Sequence, residues 1–225
     1  MNLSDKTILK EIENGNIIIE PFNINHLNPN SVDLTLNKFY KTVVKDNLLT
    51  VHERTDMYAL KMGYTKQQID EMFFHYSDYE MHSVLDLAAI PRYYLDCKQK
   101  NDFIEKEMPE EGLILMPGEL YIYSCNEKIG NKNNICSTVM GKSSLGRLGL
   151  DIHICAGFVD TGFVGSLVLE MRVIHPLKVY PNQKICQIKF ERVEGEFNET
   201  YDQKTESKYM NQTGAQESLM NKNFK

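Results

Sequence analysis

From residue 112 onward the chain is a succession of short runs rich in β-branched and aromatic residues: GLILMPGELYIYSC, NICSTVMG, DIHICAGFV, GSLVLEMRVI and KICQIKFERV. Turn-forming residues punctuate them: Pro117 and Gly118, Gly130 and Asn131, Gly162, Pro176, Pro181 and Asn182. Short strands at regular spacing with such punctuation restrict the fold to an all-β barrel or sandwich. Upstream, Ile17, Ile18 and Ile19 predict a buried strand ended by Pro21. Val32, Leu34 and Leu36 alternate with Asp33 and Thr35, the period of a half-buried strand. Residues 5–14, DKTILKEIEN, predict a short amphipathic helix with Ser4 or Asp5 as its cap and Gly15 as its stop.

The length of 225 residues fits a single domain spanning 1–225. Residues 50–105 differ in composition, being rich in Met, aromatics and acids, and are expected to form a helical or irregular insertion. Met72, Phe73 and Phe74 within it read as packing residues. Residues 198–225 are polar and are expected to be a mobile tail, better defined at 208–214. The net charge of −6 argues against a broad nucleic-acid-binding face, but not against a site for one small anion. No run of about 18 apolar residues is present, so no membrane span is expected. The charged start MNLSDKTILKEIENG does not resemble a signal peptide. The five cysteines are odd in number and none has CxxC spacing. Free thiols in a reducing, cytoplasmic compartment fit best, and no histidine pair has zinc-ligand spacing.

Chemistry concentrates in residues 141–170, GKSSLGRLGLDIHICAGFVDTGFVGSLVLE. Lys142, Ser143, Ser144 and Arg147 offer hydroxyls, amides and cations for a phosphate, and Gly146 would let a ligand approach the backbone. In SLVLEMRV, Leu167, Leu169, Met171 and Val173 share one face, and Val168, Glu170 and Arg172 the other. Glu170 is either a partly desolvated proton shuttle or a solvent-facing carboxylate beside Arg172. Asp160 either caps the turn in FVDTGF or binds a ligand. His153, in the alternating strand DIHICA, reads as structural. Cys155 has no His and acid placed in sequence to activate it and reads as buried and inert.

These segments together resemble the dCTP deaminase family within the dUTPase-like superfamily. GKSSLGRLGL is similar to its RSSLxRLGL segment, and HICAGFVDTGFVGSLVLE to its H-x-T-A-x-x-I-D-P-G-[WF]-x-G-x-[IL]-x-L-E. KYMNQTGAQESLMNK resembles its KYxxQxGxxxS ending, and DKTILKEIENGNIIIEPF with SVDLTL its N-terminal helix and strands. Residues 1–45 and 112–223 are covered. The resemblance implies a mainly β, dUTPase-like distorted jelly roll or β-clip barrel with an N-terminal helix. It implies that Glu170 is the general base and acid, activating water for attack on C4 of cytosine and protonating the departing ammonia. Ser143 and Arg147 would orient that water and polarise the site. Lys142, Ser143, Ser144, Lys208 and Gln212, with Tyr201, would hold the triphosphate. Asp160 would bind the deoxyribose, Val168, Leu169 and Glu170 would read the base edge, and the backbone at Ala156 would line the water site. The tail at 198–225 would close over the nucleotide. The resemblance also implies a homotrimer with sites between subunits, magnesium (Mg2+) held through the triphosphate with no resident metal or zinc, and deoxythymidine triphosphate (dTTP) as a feedback inhibitor. Lys142 stands where the family has Arg, Cys155 where it has Thr, Phe158 where it has a polar or basic residue, and Thr161 where it has Pro.

The leading expectation is deamination of dCTP to dUTP and ammonia. The alternative is a bifunctional enzyme that goes on to dUMP and pyrophosphate. A plain dUTPase is disfavoured because its Gly-rich C-terminal motif is missing. A non-catalytic nucleotide sensor or protein-binding module is the reading of a different class, since fold does not fix function.

Overall fold

The computed structural model describes residues 1–43, 63, 65 and 95–224. The chain divides into two compact units, Met1–Thr42 with Phe103–Leu219, and Val43–Asp102 with Met220–Lys225. Of the expected insertion at 50–105, only Gly63, Thr65 and 95–105 are described. Met72, Phe73 and Phe74 lie outside the described residues.

In the first unit, helix α1 (Asp5–Glu13) begins where Ser4 Oγ accepts the Thr7 N–H. It ends where Gly15 takes a φ of +73°, a conformation costly for residues with a Cβ. Its inner face buries Ile8 completely. The strands are β1 (Ile17–Glu20), β2 (Leu27–Asn28), β3 (Ser31–Val43), β4 (Phe103–Glu107), β5 (Leu113–Leu115), β6 (Tyr121–Asn131), β7 (Ile135–Gly141), β8 (Leu150–Asp151), β9 (Phe158–Val159), β10 (Val164–Val173), β11 (Leu177–Val179) and β12 (Lys184–Arg192). One sheet runs in the order β8-β10-β6-β3-β12-β7-β9, with β1 on β6 and β2 and β4 on β3, and β5 pairs with β11 separately. The mainly β architecture with an N-terminal helix is the one expected.

The sheet curls. Strands β6 and β12 lie on opposite sides of β3, which in a flat sheet would hold them about 10 Å apart. Yet Cys125 of β6 and Cys186 of β12 meet with sulfurs 3.7 Å apart. The enclosed core includes Leu34, Leu36, Tyr123, Ile129, Leu169, Ile188 and Phe190, all at most 1% exposed. Each such side chain stabilises the fold by about 1.5–3 kcal/mol. The hydrogen bond to Cys186 and burial push the Cys125 thiol up, so it stays protonated and unreactive.

Strand β3 departs from the half-buried expectation, because Asp33 and Thr35 are buried along with Leu34 and Leu36. Long side chains from distant segments cover its outer face. Lys142 and Lys184 place their ammoniums 2.6 and 3.1 Å from the Asp33 carboxylate, and Asn28 Nδ2 donates to it at 3.2 Å. Beside them the register of β6 slips, since β10 pairs Ser166 with Lys128 but Val168 with Ser124. Glu127 lies in this irregular stretch of β6. Its carboxylate accepts both the Thr35 N–H (2.9 Å) and the Thr35 hydroxyl (2.8 Å).

In the second unit, the backbone N–H of Asp96 donates to Asn101 Oδ1, and Asn101 Nδ2 returns a bond to the Asp96 carbonyl. A 3-10 turn at Met220–Phe224 places the Phe224 ring 5.6 Å from the Lys98 ammonium.

Candidate active site

The hexamer at 142–147 folds as a single helical turn, α2 (Ser143–Gly146), entered through Lys142 in extended conformation. The Lys142 carbonyl accepts the N–H groups of Leu145 and Gly146, both at 3.0 Å. The Ser143 and Ser144 hydroxyls and the Arg147 guanidinium are exposed and make no side-chain hydrogen bond among the described residues. An added Cβ at Gly146 would meet open space. Lys142 differs from its neighbours, because its ammonium reaches back to Asp33. Burial alone would raise the Asp33 pKa. Hydrogen bonds from Lys142 and Lys184 overcome that and hold the carboxyl below its ordinary value of 3.8.

Strand β10 shows the alternation read from SLVLEMRV. Leu167, Leu169, Met171 and Val173 are buried, Val168 and Glu170 half-buried, and Arg172 exposed. Glu170 is not the partner of Arg172. Arg172 pairs with Asp151 at 3.0 Å, whereas Glu170 Oε2 accepts the Ile154 N–H at 3.3 Å. Residues 152–157, expected to continue a strand, instead form a loop that includes Ala156 and meets Glu170 through the Ile154 N–H. Cys155, expected to be buried, is exposed on this loop. His153 is half-buried, with Nε2 3.2 Å from the Val139 carbonyl.

The same edge of β10 is occupied at both ends. At one end Arg172 and Val173 pair with β8, and Ile174 N–H donates to the Gly149 carbonyl. At the other the tail adds alongside. Asn211 N–H donates to the Val164 carbonyl, Ser166 N–H to the Gln212 carbonyl, and Gln212 Nε2 to the Ser166 carbonyl at 2.7 Å. In a strand, alternate residues direct their backbone groups to the same edge. Val168 and Glu170 therefore present theirs to a gap between β8 and the tail, with no strand beside it among the described residues.

Asp160 lies in the turn between β9 and β10, which closes through Phe163 N–H to the Asp160 carbonyl (3.2 Å). Its exposed carboxylate makes no hydrogen bond among the described residues, so it does not cap the turn. The tail read as mobile folds back onto this turn. Tyr201 N–H donates to the Thr161 carbonyl at 2.9 Å, and the Tyr201 ring stands edge-on to Phe163 at 5.8 Å. The Tyr201 hydroxyl accepts the Tyr209 N–H, Ala215 is buried, and Lys41 pairs with Glu217 at 2.5 Å. Lys208 is half-buried in the same segment. Gln212 Oε1 is buried with no partner, an acceptor left open.

The predicted residues thus fall into two groups. Ser143, Ser144, Arg147, Ala156 and Glu170 flank the half of β10 that meets β8, and Asp160, Tyr201, Lys208 and Gln212 flank the other half. Gln212 lies against Ser166, four strand steps or about 13 Å along β10 from Glu170. Asp33, Glu127 and Asn131 escaped the sequence reading. Asp33 lies in an alternating run and Asn131 beside a turn glycine, and each of the three gains its meaning from partners in other segments.

Residues 2–74 and 70–193 match the family model described as dCTP deaminase-like. The dCTP deaminase, dUMP-forming, of Clostridium botulinum (strain Eklund 17B / Type B) is 37% identical over 224 residues, spanning 100% of this chain and 99% of the relative. The protein of the same name from Leptospira biflexa serovar Patoc (strain Patoc 1 / Ames) is 40% identical over 155 residues, covering 69% of this chain and 86% of its own. Among solved structures, 2'-deoxycytidine 5'-triphosphate deaminase from Agrobacterium tumefaciens aligns with a TM-score of 0.53 at 17% identity, over 88% of this chain and 50% of that one. At that identity the shared property is the fold. This chain belongs to the dCTP deaminase-like family.

Proposed function

We propose that this protein deaminates dCTP at C4 of cytosine and hydrolyses the product further, giving ammonia, dUMP and pyrophosphate. The sequence reading put release of dUTP first. The dUMP-forming name of the relatives at 37–40% identity reverses that order. The observation that carries the deamination is the open edge of β10 with Glu170 beside it. The backbone N–H and C=O groups of Val168 and Glu170 suit the donor and acceptor pattern of a pyrimidine edge. The Glu170 carboxylate takes a proton from water as oxygen bonds to C4. The charge that develops in the tetrahedral centre is met by donors from Ser143 and Arg147. Glu170 then returns the proton to the amino nitrogen, the C4–N bond breaks, and ammonia leaves. A second water attacks the α-phosphorus of the uracil nucleotide and releases pyrophosphate.

Lys142, Ser143, Ser144, Tyr201, Lys208 and Gln212 hold the triphosphate in this reading, Asp160 accepts from the deoxyribose, and the backbone at Ala156 lines the water site. Mg2+ would be held by the triphosphate itself and would offset part of its charge beside Lys142 and Lys208. The donors around α2 are ammoniums and hydroxyls, and Asp33 already holds two lysines, so a resident cation fits poorly there. A homotrimer with sites between subunits fits the separation of the two groups along β10. It also fits the exposure of Leu148, Ile154 and Ile174, at 55%, 52% and 72%, beside α2 and β8. dTTP shares the sugar and triphosphate and competes for the same cradle.

The test is a product assay with dCTP and Mg2+, quantifying ammonia, dUTP, dUMP and pyrophosphate together. Ammonia matched by dUMP and pyrophosphate is expected. Ammonia with accumulating dUTP would restore the simple deaminase, and hydrolysis of dUTP without ammonia would leave a plain dUTPase. No turnover with retained nucleotide binding would favour a sensor. Glu170→Gln should abolish ammonia release while keeping nucleotide affinity, and full activity in that variant would sink the mechanism.

A further inference from the structure

We infer that Asn131 and Thr161 form a buried polar clamp that aims the Asp160 carboxylate, making both of them positioning residues for the reaction. The inference rests on the proposed sugar-binding role of Asp160. In the family pattern the residue after this Asp is Pro, which fixes its own φ near −65° and stiffens the turn. Here it is Thr161, which has no such restriction, and other groups hold the turn instead. Thr161 Oγ1 donates to the Ile135 carbonyl at 2.8 Å and is buried. Asn131, at the end of β6 and 0% exposed, grips the turn from the other side. Its Nδ2 lies 2.9 Å from Ser137 Oγ, 3.1 Å from the Val159 carbonyl and 3.4 Å from the Asp160 carbonyl. Its backbone N–H donates to the Phe163 carbonyl at 3.0 Å, and its carbonyl accepts the Gly162 N–H at 2.7 Å.

Two features separate this clamp from ordinary turn closure. The first is its cost, since Asn131 Oδ1 is buried without a partner. An apolar side chain of similar shape would avoid that penalty, and the two backbone bonds would still tie the turn to β6. Besides meeting the Ser137 hydroxyl, the amide grips the two carbonyls that flank the Asp160 Cα, those of Val159 and Asp160. The second is that the Asp160 carboxylate is exposed and has no hydrogen bond among the described residues to orient it. Its direction is therefore set by the backbone from which it projects, and that backbone is what Asn131 and Thr161 fix.

The test compares Asn131→Leu, Asp160→Asn, the Asn131→Leu/Asp160→Asn double variant, Thr161→Val and Thr161→Pro. KM and kcat for dCTP and the urea midpoint are measured for each full-length protein. Asp160→Asn should raise KM. Asn131→Leu should raise KM about tenfold, the scale of a lost buried hydrogen-bond set, with kcat changed far less. The double variant should be no worse than Asp160→Asn alone, because the amide acts only through that carboxylate. Thr161→Val should raise KM, and Thr161→Pro should raise it less, since the ring's fixed φ takes over the hold lost with the hydroxyl and the N–H that proline also forgoes donates to nothing among the described residues. An unchanged KM in Asn131→Leu, or effects that multiply in the double variant, would overturn the clamp while leaving the sugar reading intact. If Asp160→Asn itself leaves KM unchanged, the sugar reading falls and the inference with it. Should Asn131→Leu fail to fold, the Thr161 pair decides, and Thr161→Pro behaving no better than Thr161→Val would count against the clamp.

Discussion

Replacing Asp33 with Asn removes a carboxylate that holds two ammoniums. Its side chain is 6% exposed, with Lys142 at 2.6 Å and Lys184 at 3.1 Å. Breaking a fully buried pair at one end costs about 3–5 kcal/mol, because the surviving charge is left without water or partner. The lysines here are 25% and 42% exposed and can turn toward solvent. The Lys184 share is accordingly discounted to the 0–1 kcal/mol typical of an exposed pair, and the whole loss comes to about 1.5–3 kcal/mol at pH 7. For a unit of this size that is a fall in Tm of about 4–10 °C. The pH dependence has a definite sign. The folded-state pKa of Asp33 is lowered, so its stabilisation is complete above the unfolded value near 3.9 and is lost as pH falls through the lower folded value. Urea unfolding of wild type and Asp33→Asn should show a constant gap between pH 7 and 5 that closes below about pH 4. A gap under about 0.5 kcal/mol at pH 7 would refute the ion-pair reasoning. So would a gap that has already closed by pH 5, because the carboxyl would then not be depressed.

Gly162→Ala should dislodge the tail. A Cβ there would fall 2.2 Å from Asp202 Oδ1 and 2.9 Å from Tyr201 N, at a φ of +92°. The carboxylate can swing away but the Tyr201 backbone cannot, so faster proteolysis near residue 201 and a raised KM for dCTP are expected. Unchanged proteolysis would mean that the tail does not depend on this seat. Glu11→Gln should destabilise by about 1–3 kcal/mol at pH 7, discounted because Arg192 is 40% exposed. The Asn16 amide at 2.6 Å, opposed by burial and aided by Arg192, holds the Glu11 carboxyl low, so this difference should shrink only on acidification below about pH 4.5. Stability curves that stay parallel down to acid pH would contradict it. Leu169→Ala, at 1% exposure on the core face of β10, should cost about 2–5 kcal/mol by urea unfolding. A loss under 1 kcal/mol would show that the core face was assigned wrongly.

Strand β10 was readable from SLVLEMRV because its two faces meet different surroundings, core on one side and a half-open groove on the other, so period-2 alternation and burial coincide. The same alternation in SVDLTL misled. Asp33 is polar, but its cover comes from Lys142, 109 positions away, and no local pattern carries that information. DIHICA also alternates, yet residues 152–157 form no ladder, because the Ile154 N–H goes to the Glu170 carboxylate rather than to a neighbouring strand. A side chain that captures a backbone donor ends a strand in a way that residue patterning does not show, and Cys155 on the resulting loop is exposed. Asn131 followed Gly130 and read as turn punctuation, whereas the amide is spent inside the fold on carbonyls at 159 and 160. These departures share one physical origin. Hydrophobic burial is averaged over a face and leaves a period in the sequence. A buried polar contact depends on one pair of atoms brought together by the curl of the sheet, and that curl exists only after the apolar pattern has folded. The residues that position the candidate site are therefore the ones a single sequence conceals best, while those proposed to touch the nucleotide remain visible as unusual side chains on an otherwise regular strand and turn.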